Sequence, residues 1–373
     1  MQSNVQQLWS VPSWLSDRFL QEVIRKAKGD GSVTLCHDCK IRPGGKDGVR
    51  HASDLFRATV HYRSKKFRQE QAVDLMLKVN RSRNGAQFTT EIQIYREILP
   101  AMEQALKNVG ESLEAPNYFY SYSDPQNVII MEDLFPSGWV QRNRLNDFDD
   151  AKAVVIVIAK FHAASYVSNG KVRISNFYNL DYRRVKLIIN KFIDSLNTRP
   201  GCSQIGAKLH TLKPRVEEKL KQIYSPSRQH FNVLNHGDIN VSNLWFKTHS
   251  NNRAAMIDFQ RCHWGSPAID LLSLMDFVLD RDLRRTHSDR LVREYYQSLT
   301  AYLTRMGLRG SPMSLQDLVQ ELKRCAFLEF VHFAMRKDLE SVNREDYNRI
   351  DTGNLDVEIQ QELTEMLRRG VLE

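Results

Sequence analysis

The sequence is poor in residues that interrupt or cross-link a chain, with 17 glycines, 11 prolines and 5 cysteines among 373 residues. Scarce glycine and proline exclude a linker-dominated or collagen-like polypeptide, and a hydrophobic content of 42% is enough for a sizeable core. Cys36, Cys39, Cys202, Cys262 and Cys325 form an odd, widely spaced set, so a disulfide framework is not expected and a reducing compartment is. Long apolar runs are also lacking. The longest, Ala153 to Ala159, is closed by Lys152 and Lys160, far short of the roughly 20 residues that cross a bilayer. Met1 is followed by polar and mixed residues, without the charged start and apolar stretch of a secretory signal, and the expectation is a cytoplasmic protein.

Charge is plentiful but not segregated. The net value of +9 comes from 53 basic and 44 acidic residues scattered along the chain, with no basic stripe interleaved with aromatics. Such a balance favours anions weakly and gives no reason to expect nucleic acid as a partner. The length exceeds what one hydrophobic core usually serves, so two lobes are expected.

Period-two alternation marks a strand at Phe56 to Tyr62, preceded by an irregular strand from Val33 to Ile41 and a turn-rich stretch holding Pro43, Gly44, Gly45 and Gly48. A third strand, Asp74 to Val79, puts Leu75, Leu77 and Val79 on one face and Lys78 on the other. From Gln87 to Leu99, the residues Phe88, Ile92, Tyr95 and Leu99 recur at helical spacing, with Glu91 beside that stripe. A strand pair follows at Tyr118–Tyr122 and Val128–Met131, turned through Asp124-Pro125. Beyond Pro136-Ser137-Gly138 the pattern becomes helical, as in Asp150 to Val167 and Arg183 to Leu196, with later helices from Pro267, about Arg290, Ser314 and Asp356. The expected fold is therefore α+β and bilobal, an antiparallel-sheet N-lobe over residues 1–134 and a larger, mainly helical C-lobe over 135–373.

The densest polar cluster is His236-Gly-Asp238-Ile-Asn-Val-Ser-Asn243, followed by Ile257-Asp258-Phe-Gln260. If Leu244–Phe246 and Ala255–Ile257 pair about a turn centred near Ser250-Asn251, Asn243 and Asp258 face each other. An amide oxygen and a carboxylate brought together in this way begin an oxygen-donor magnesium site, with ATP phosphates and water as further ligands. Asp238, on the loop entering the hairpin, is placed to accept a hydrogen bond from a substrate hydroxyl, as a catalytic base does. Phosphoryl transfer needs alignment and charge compensation more than covalent help, and these three residues offer both.

The Asp-x4-Asn spacing resembles a kinase catalytic loop, and Asp258-Phe-Gln260 resembles its metal-binding tripeptide, with glutamine in place of glycine. That likeness implies a strand lysine paired to a helix glutamate, which Lys78 and Glu91 match. No Gly-x-Gly-x-x-Gly loop is present; Gly48 and Ser53 are the candidates for phosphate contacts.

Together with Gly265-Ser-Pro-Ala-Ile-Asp270-Leu-Leu, Ala52-Ser-Asp-Leu-Phe-Arg57, Val128-Ile-Ile-Met-Glu-Asp-Leu134 and Ala159-Lys-Phe-His-Ala163, these motifs resemble the ecdysteroid kinase-like family, in the wider aminoglycoside phosphotransferase and choline kinase group. The resemblance implies a protein kinase-like fold, ATP and Mg2+ as cofactors, Asp238 as base, and Asn243 and Asp258 as metal ligands. It also implies that His236 orients the catalytic loop and Asp270 anchors it. Met131, Glu132, Asp133 and Leu134 become a hinge whose backbone holds adenine, and the acceptor a hydroxylated, ecdysteroid-like small molecule. Departures are Val49-Arg50-His51 in the phosphate loop and Ser242 where asparagine is common. Choline, ethanolamine or aminoglycoside acceptors, and a non-catalytic ligand-binding module, are the competing readings; oligomeric state stays open. Cys36-His37-Asp38-Cys39 invites a zinc or redox reading, but the sequence offers a single CxxC no second ligand pair at a workable spacing. His162 lies among apolar positions and reads as a packed core histidine.

Overall fold

The computed structural model describes residues 11–44, 53–80, 85–123, 126–168, 181–226, 231–248, 253–344 and 352–372. The N-terminal elements are helix α1 (Asp17–Lys28), strands β1 (Thr34–Leu35), β2 (Lys40–Pro43), β3 (Ser53–Arg63) and β4 (Gln71–Asn80), helices α2 (Ala86–Gln93) and α3 (Leu99–Lys107), and strands β5 (Tyr118–Tyr122) and β6 (Val128–Glu132). The strands form one antiparallel 6-stranded sheet in the order β1-β3-β4-β6-β5, with β2 also against β3. Alternation decides its two faces. Phe56, Ala58, Val60 and Tyr62 of β3 and Leu75, Leu77 and Val79 of β4 are buried in one cluster with Leu20, Val23 and Ile24 of α1. Each fully buried aliphatic or aromatic side chain there contributes roughly 1.5–3 kcal/mol. Lys78 is left to the opposite face, towards α2.

The helix expected over 87–99 is broken and extended. After α2, a wide π-type turn spans Ile94–Ile98, and helical structure continues to Lys107. Pro100 explains the change: it has no N–H for the ladder and is accommodated at the start of α3, immediately after the widened turn.

The C-terminal elements are strand β7 (Trp139–Gln141), helices α4 (Phe148–Ser168), α5 (Tyr182–Ser195), α6 (Ser203–His210) and α7 (Val216–Tyr224), strands β8 (Val233–Asn235), β9 (Leu244–Lys247), β10 (Ala254–Met256) and β11 (His263–Gly265), and helices α8 (Ala268–Ser273), α9 (Arg281–Arg305), α10 (Leu315–Cys325), α11 (Phe327–Arg344) and α12 (Thr352–Arg368). The α+β, two-lobed architecture expected from the sequence is the one observed. Helix α9 starts earlier than the expected Arg290, because its charged first turns carry no apolar period; the Asp280 carboxylate caps it by accepting from the Leu283 amide at 2.8 Å. Two strand contacts had no sequence signal: β7 joins β9 and β10 as a third strand, and β8 pairs with β11.

Helix α4 is the spine of this lobe. Among the described residues it alone has the length and apolarity of a membrane span, but 78% of that stretch is buried inside the protein. Lys160, the end of its apolar run, is buried as well. It donates to the Ser112 carbonyl at 3.1 Å and pairs with Glu114 at 3.0 Å and Glu111 at 3.2 Å. The five cysteines are all free thiols.

Asp30 ties the end of α1 to the sheet: one carboxylate oxygen accepts from the Ser32 amide at 2.9 Å and the Ser32 hydroxyl at 2.6 Å, and the other from the Ser64 hydroxyl. Bonds from Ser32 and then Ser64 hold its pKa down to about 2, below the ordinary 3.8. A lowered carboxyl pKa stabilises the fold above the unfolded value and ceases to do so as pH falls through the folded value. The Asp30→Asn variant is expected to unfold at lower urea than wild type at pH 6, with the two midpoints converging as pH falls from 3.8 towards 2. A pH-independent gap would show that the carboxylate charge is not responsible.

Candidate active site

The N-lobe half of the site is built on β4 and α2. Lys78, 7% exposed, reaches Glu91, 0% exposed, with Nζ 2.6 Å from Oε2, so the pair expected from the likeness to a kinase site is formed. The same ammonium donates to Asp258 Oδ1 at 2.8 Å, across the lobes. Burial works against the Lys78 charge, but the attraction of Glu91 and Asp258 outweighs it and holds the pKa above the usual lysine range. Burial pushes the Glu91 carboxyl up, to about 7, while the Lys78 ammonium pulls it back. A buried lysine between carboxylates keeps its proton, which makes it a fixed positive charge.

The hairpin register differs by one residue from the expectation. Met256 pairs with Leu244 and Ala255 with Trp245, and the Ile257 amide donates to the Asn243 carbonyl at 3.1 Å, so Ile257 rather than Asp258 lies opposite Asn243. The expected turn centre at Ser250-Asn251 lies outside the described residues. In continued strand geometry, a shift of one would send Asp258 to the wrong face. Asp258 avoids this by leaving extended geometry: at φ 68° it is the one non-glycine residue with positive φ among the described residues. That conformation costs roughly 1–2 kcal/mol and turns the carboxylate towards Lys78. Gln260 Nε2 also donates to it, at 3.4 Å.

Asp238 is held from both sides. Asn243 Nδ2 donates to its carbonyl at 2.9 Å and to Oδ2 at 3.3 Å, and Arg261 Nη1 contacts Oδ1 at 3.2 Å. Arg261 was not among the residues read from the sequence. Its signal was only adjacency to Asp258-Phe-Gln260, because an arginine side chain gives no hint of the carboxylate it meets.

The loop carrying Asp238 rests on buried groups. Asp270, 0% exposed, accepts from the His236 amide at 2.6 Å, the Gly237 amide at 2.9 Å and His162 Nε2 at 3.1 Å. Burial pushes its carboxyl up, but His162 first, then the His236 ring and the Gly237 amide, more than compensate, and the pKa falls below the ordinary value. His162 also contacts the Tyr295 hydroxyl at 2.7 Å, so the expected core histidine is a polar link as well. His236 accepts from the Asp238 amide at Nδ1, 3.3 Å, and contacts the Ile257 carbonyl through Nε2 at 2.9 Å. Both ring nitrogens are engaged internally, so His236 ties the loop to the carbonyl that precedes Asp258. Gly237 has φ 77°, and a Cβ there would stand 2.2 Å from the Arg261 carbonyl oxygen.

At the expected hinge, the Glu132 amide donates to the Asn117 carbonyl at 2.8 Å and the Asp133 amide to the Asp74 carbonyl at 3.0 Å, so both are engaged within the protein. The Asp133 carboxylate takes Arg57 Nη1 at 2.9 and 3.0 Å. Met131 accepts from the Tyr95 hydroxyl at 3.5 Å, and Leu134 packs with Trp139, Trp245 and Ala255. Of the phosphate-loop candidates, Ser53 is buried at the start of β3, and Gly48 lies outside the described residues.

Residues 47–308 match the ecdysteroid kinase-like family. This is well over half of the chain, and the protein belongs to that family. A curated relative, an uncharacterised kinase-like protein of Caenorhabditis elegans, is 20% identical over 164 residues, 42% of this chain and 43% of the relative, so the chain matches less than half of that protein's length. Among solved structures, the chain is similar to a choline kinase of Cryptosporidium parvum (TM-score 0.49, 11% identity, 90% of this chain and 91% of that one). It is also similar to a macrolide 2'-phosphotransferase type I (TM-score 0.41, 14% identity, 90% and 99%).

Replacing Lys78 by methionine leaves the buried Glu91 carboxylate without its ammonium, beside the partly exposed carboxylate of Asp258, and removing one partner of a buried pair typically costs about 3–5 kcal/mol. Urea unfolding of Lys78→Met should show a loss of that order, and a loss below about 1 kcal/mol would mean that the pair is not held as described. Gly237→Ala combines a clash with a left-handed backbone and should lower the midpoint or the folded yield, whereas alanine at Gly110, whose Cβ would meet nothing within 4 Å despite φ 72°, should cost less.

Proposed function

We propose that the protein is an ATP-dependent phosphotransferase that moves the γ-phosphoryl group to a hydroxyl of a lipophilic small molecule such as an ecdysteroid. The observation that carries this reading is the meeting of two side-chain clusters from sequence-distant segments, Lys78 with Glu91 and Asp258, and Asp238 with Asn243, joined through the Ile257 amide on the Asn243 carbonyl. Family membership supports the kinase class, and the steroid-like acceptor rests on that membership. In this reading the nucleotide lobe runs to Leu134, with the catalytic loop and acceptor pocket beyond it.

Asp238 accepts the proton of the acceptor hydroxyl as its oxygen bonds to the γ-phosphorus; the bond from that phosphorus to the β–γ bridging oxygen breaks, and ADP leaves. Asn243 holds the base through Oδ2 and its carbonyl, and Arg261 steadies the other carboxylate oxygen. Lys78 supplies a fixed charge for the α- and β-phosphates, positioned by Glu91. The Asn243 amide oxygen and the Asp258 carboxylate are hard donors that suit Mg2+. When bound there, the ion supplies compensation for phosphate charge.

Purified protein incubated with ATP, Mg2+ and a panel of ecdysteroids and other hydroxylated lipophiles should yield a product heavier by one phosphate. Asp238→Asn should lower acceptor-dependent turnover by roughly 10²–10⁴-fold with nucleotide affinity little changed. Full turnover in that variant would remove Asp238 as base. Phosphorylated choline in preference to sterol would replace the lipophilic acceptor by a cationic one, and binding of ATP and acceptor with no product would replace the enzyme by a binding module.

A further inference from the structure

The far end of the same sheet gathers metal-ligating side chains that no step above uses. His37, His61 and Glu70 each direct one ligand atom into a common space, all three atoms lying within 4.8 Å of one another. Pairing of the strands explains the convergence. Thr34 and Leu35 pair with Arg63 and Tyr62, and the Cys36 amide then donates to the His61 carbonyl at 3.0 Å, so Cys36 lies opposite His61. His61 pairs on its other side with Ala72, which makes Glu70 the diagonal neighbour on the same face. That face is the outer one, because Val60 and Tyr62 take the buried positions on either side.

The contacts fit a ligand set. His61 Nδ1 is 3.1 Å from Glu70 Oε1, and the His37 and His61 rings have centroids 4.6 Å apart. Cys36, opposite His61 across the β1–β3 pairing, lies on the same outer face. Arg63 stands 4.0 Å from the other Glu70 oxygen, but its side chain is 76% exposed and able to swing away. Two imidazoles and a thiol, joined by a single carboxylate, favour zinc-type cations over Mg2+ or Ca2+. The second ligand pair that the Cys36-His37-Asp38-Cys39 segment lacks in sequence is thus brought to it by the β3–β4 hairpin.

We propose that His37, His61 and Glu70, with Cys36 as the fourth ligand, form a Zn2+ site that clasps the β1 edge to the β3–β4 hairpin. Among the named strand pairings, β1 is joined to β3 by only Thr34 and Leu35, so a metal bridge from Cys36 and His37 to His61 and Glu70 reinforces a weak edge. The clasp is separate from the candidate active site, since His61 is eight residues along β3 from Ser53, about 26 Å at the rise of a strand.

The test titrates Zn2+ alone into chelator-treated full-length protein, in competition with a chromophoric chelator. Wild type should bind one Zn2+ per chain and melt at higher temperature with it. His61→Ala and Glu70→Gln should each weaken binding at least roughly tenfold and lose the thermal gain while their metal-free melting stays near wild type. Co2+ in place of zinc should give tetrahedral visible bands with a thiolate charge-transfer band that Cys36→Ser removes. Equal Zn2+ affinity in wild type and a His37→Ala/His61→Ala double variant would overturn the site. A Co2+ spectrum unaltered by Cys36→Ser would overturn the fourth ligand.

Discussion

The Lys78 ammonium lies between the carboxylates of Glu91 and Asp258, and through it the long strand β4, helix α2 and the segment after β10 meet at one atom. Neither the Lys78 nor the Glu91 charge would be tolerated there alone, while the Asp258 side chain stays 25% exposed. A buried carboxylate without its ammonium, or the reverse, carries a desolvation cost that neighbouring packing cannot offset. The position of the C-lobe hairpin relative to the N-lobe sheet is therefore constrained by charge as much as by the apolar cluster that runs through both lobes. The left-handed backbone of Asp258 belongs to the same constraint, since it delivers the carboxylate that the ammonium needs.

A second buried charge has a parallel role beneath the segment that carries Asp238. Asp270 takes two consecutive backbone amides, and His162 and Tyr295 extend the chain of contacts into α4 and α9. His236 links the segment sideways to the carbonyl that precedes Asp258. Asp238 is thus presented on a backbone held from below and from one side, with only its carboxylate left partly accessible, at 22% of the side chain. Preorganisation of this kind suits a site whose chemistry depends on alignment.

The two ends of the N-lobe sheet differ in donor chemistry. Near Lys78 the groups are carboxylates, an amide and an ammonium, suited to phosphate and hard cations. At the edge beside β1 they are two imidazoles and Glu70, with the Cys36 thiol opposite His61. Strand length separates them, so the clasp can act on the stability of the edge without entering the chemistry.

Local pattern was sufficient for much of this protein. Alternation in β3 and β4 decided which side chains entered the core, and it predicted that Lys78 would point away from Leu77 and Val79. Helical spacing placed Glu91 where a lysine could reach it, and the polar density of residues 236–243 and 257–260 marked the candidate site. These features depend on neighbours a few positions apart, which a sequence displays directly. The hairpin register, the π-type turn before Pro100, the Arg261–Asp238 contact and the gathering of His37, His61 and Glu70 were decided only by the tertiary structure. Each depends on which residues pair across strands or lobes. A one-residue choice of register or a single left-handed residue changes the direction of a side chain without altering the pattern that announces it.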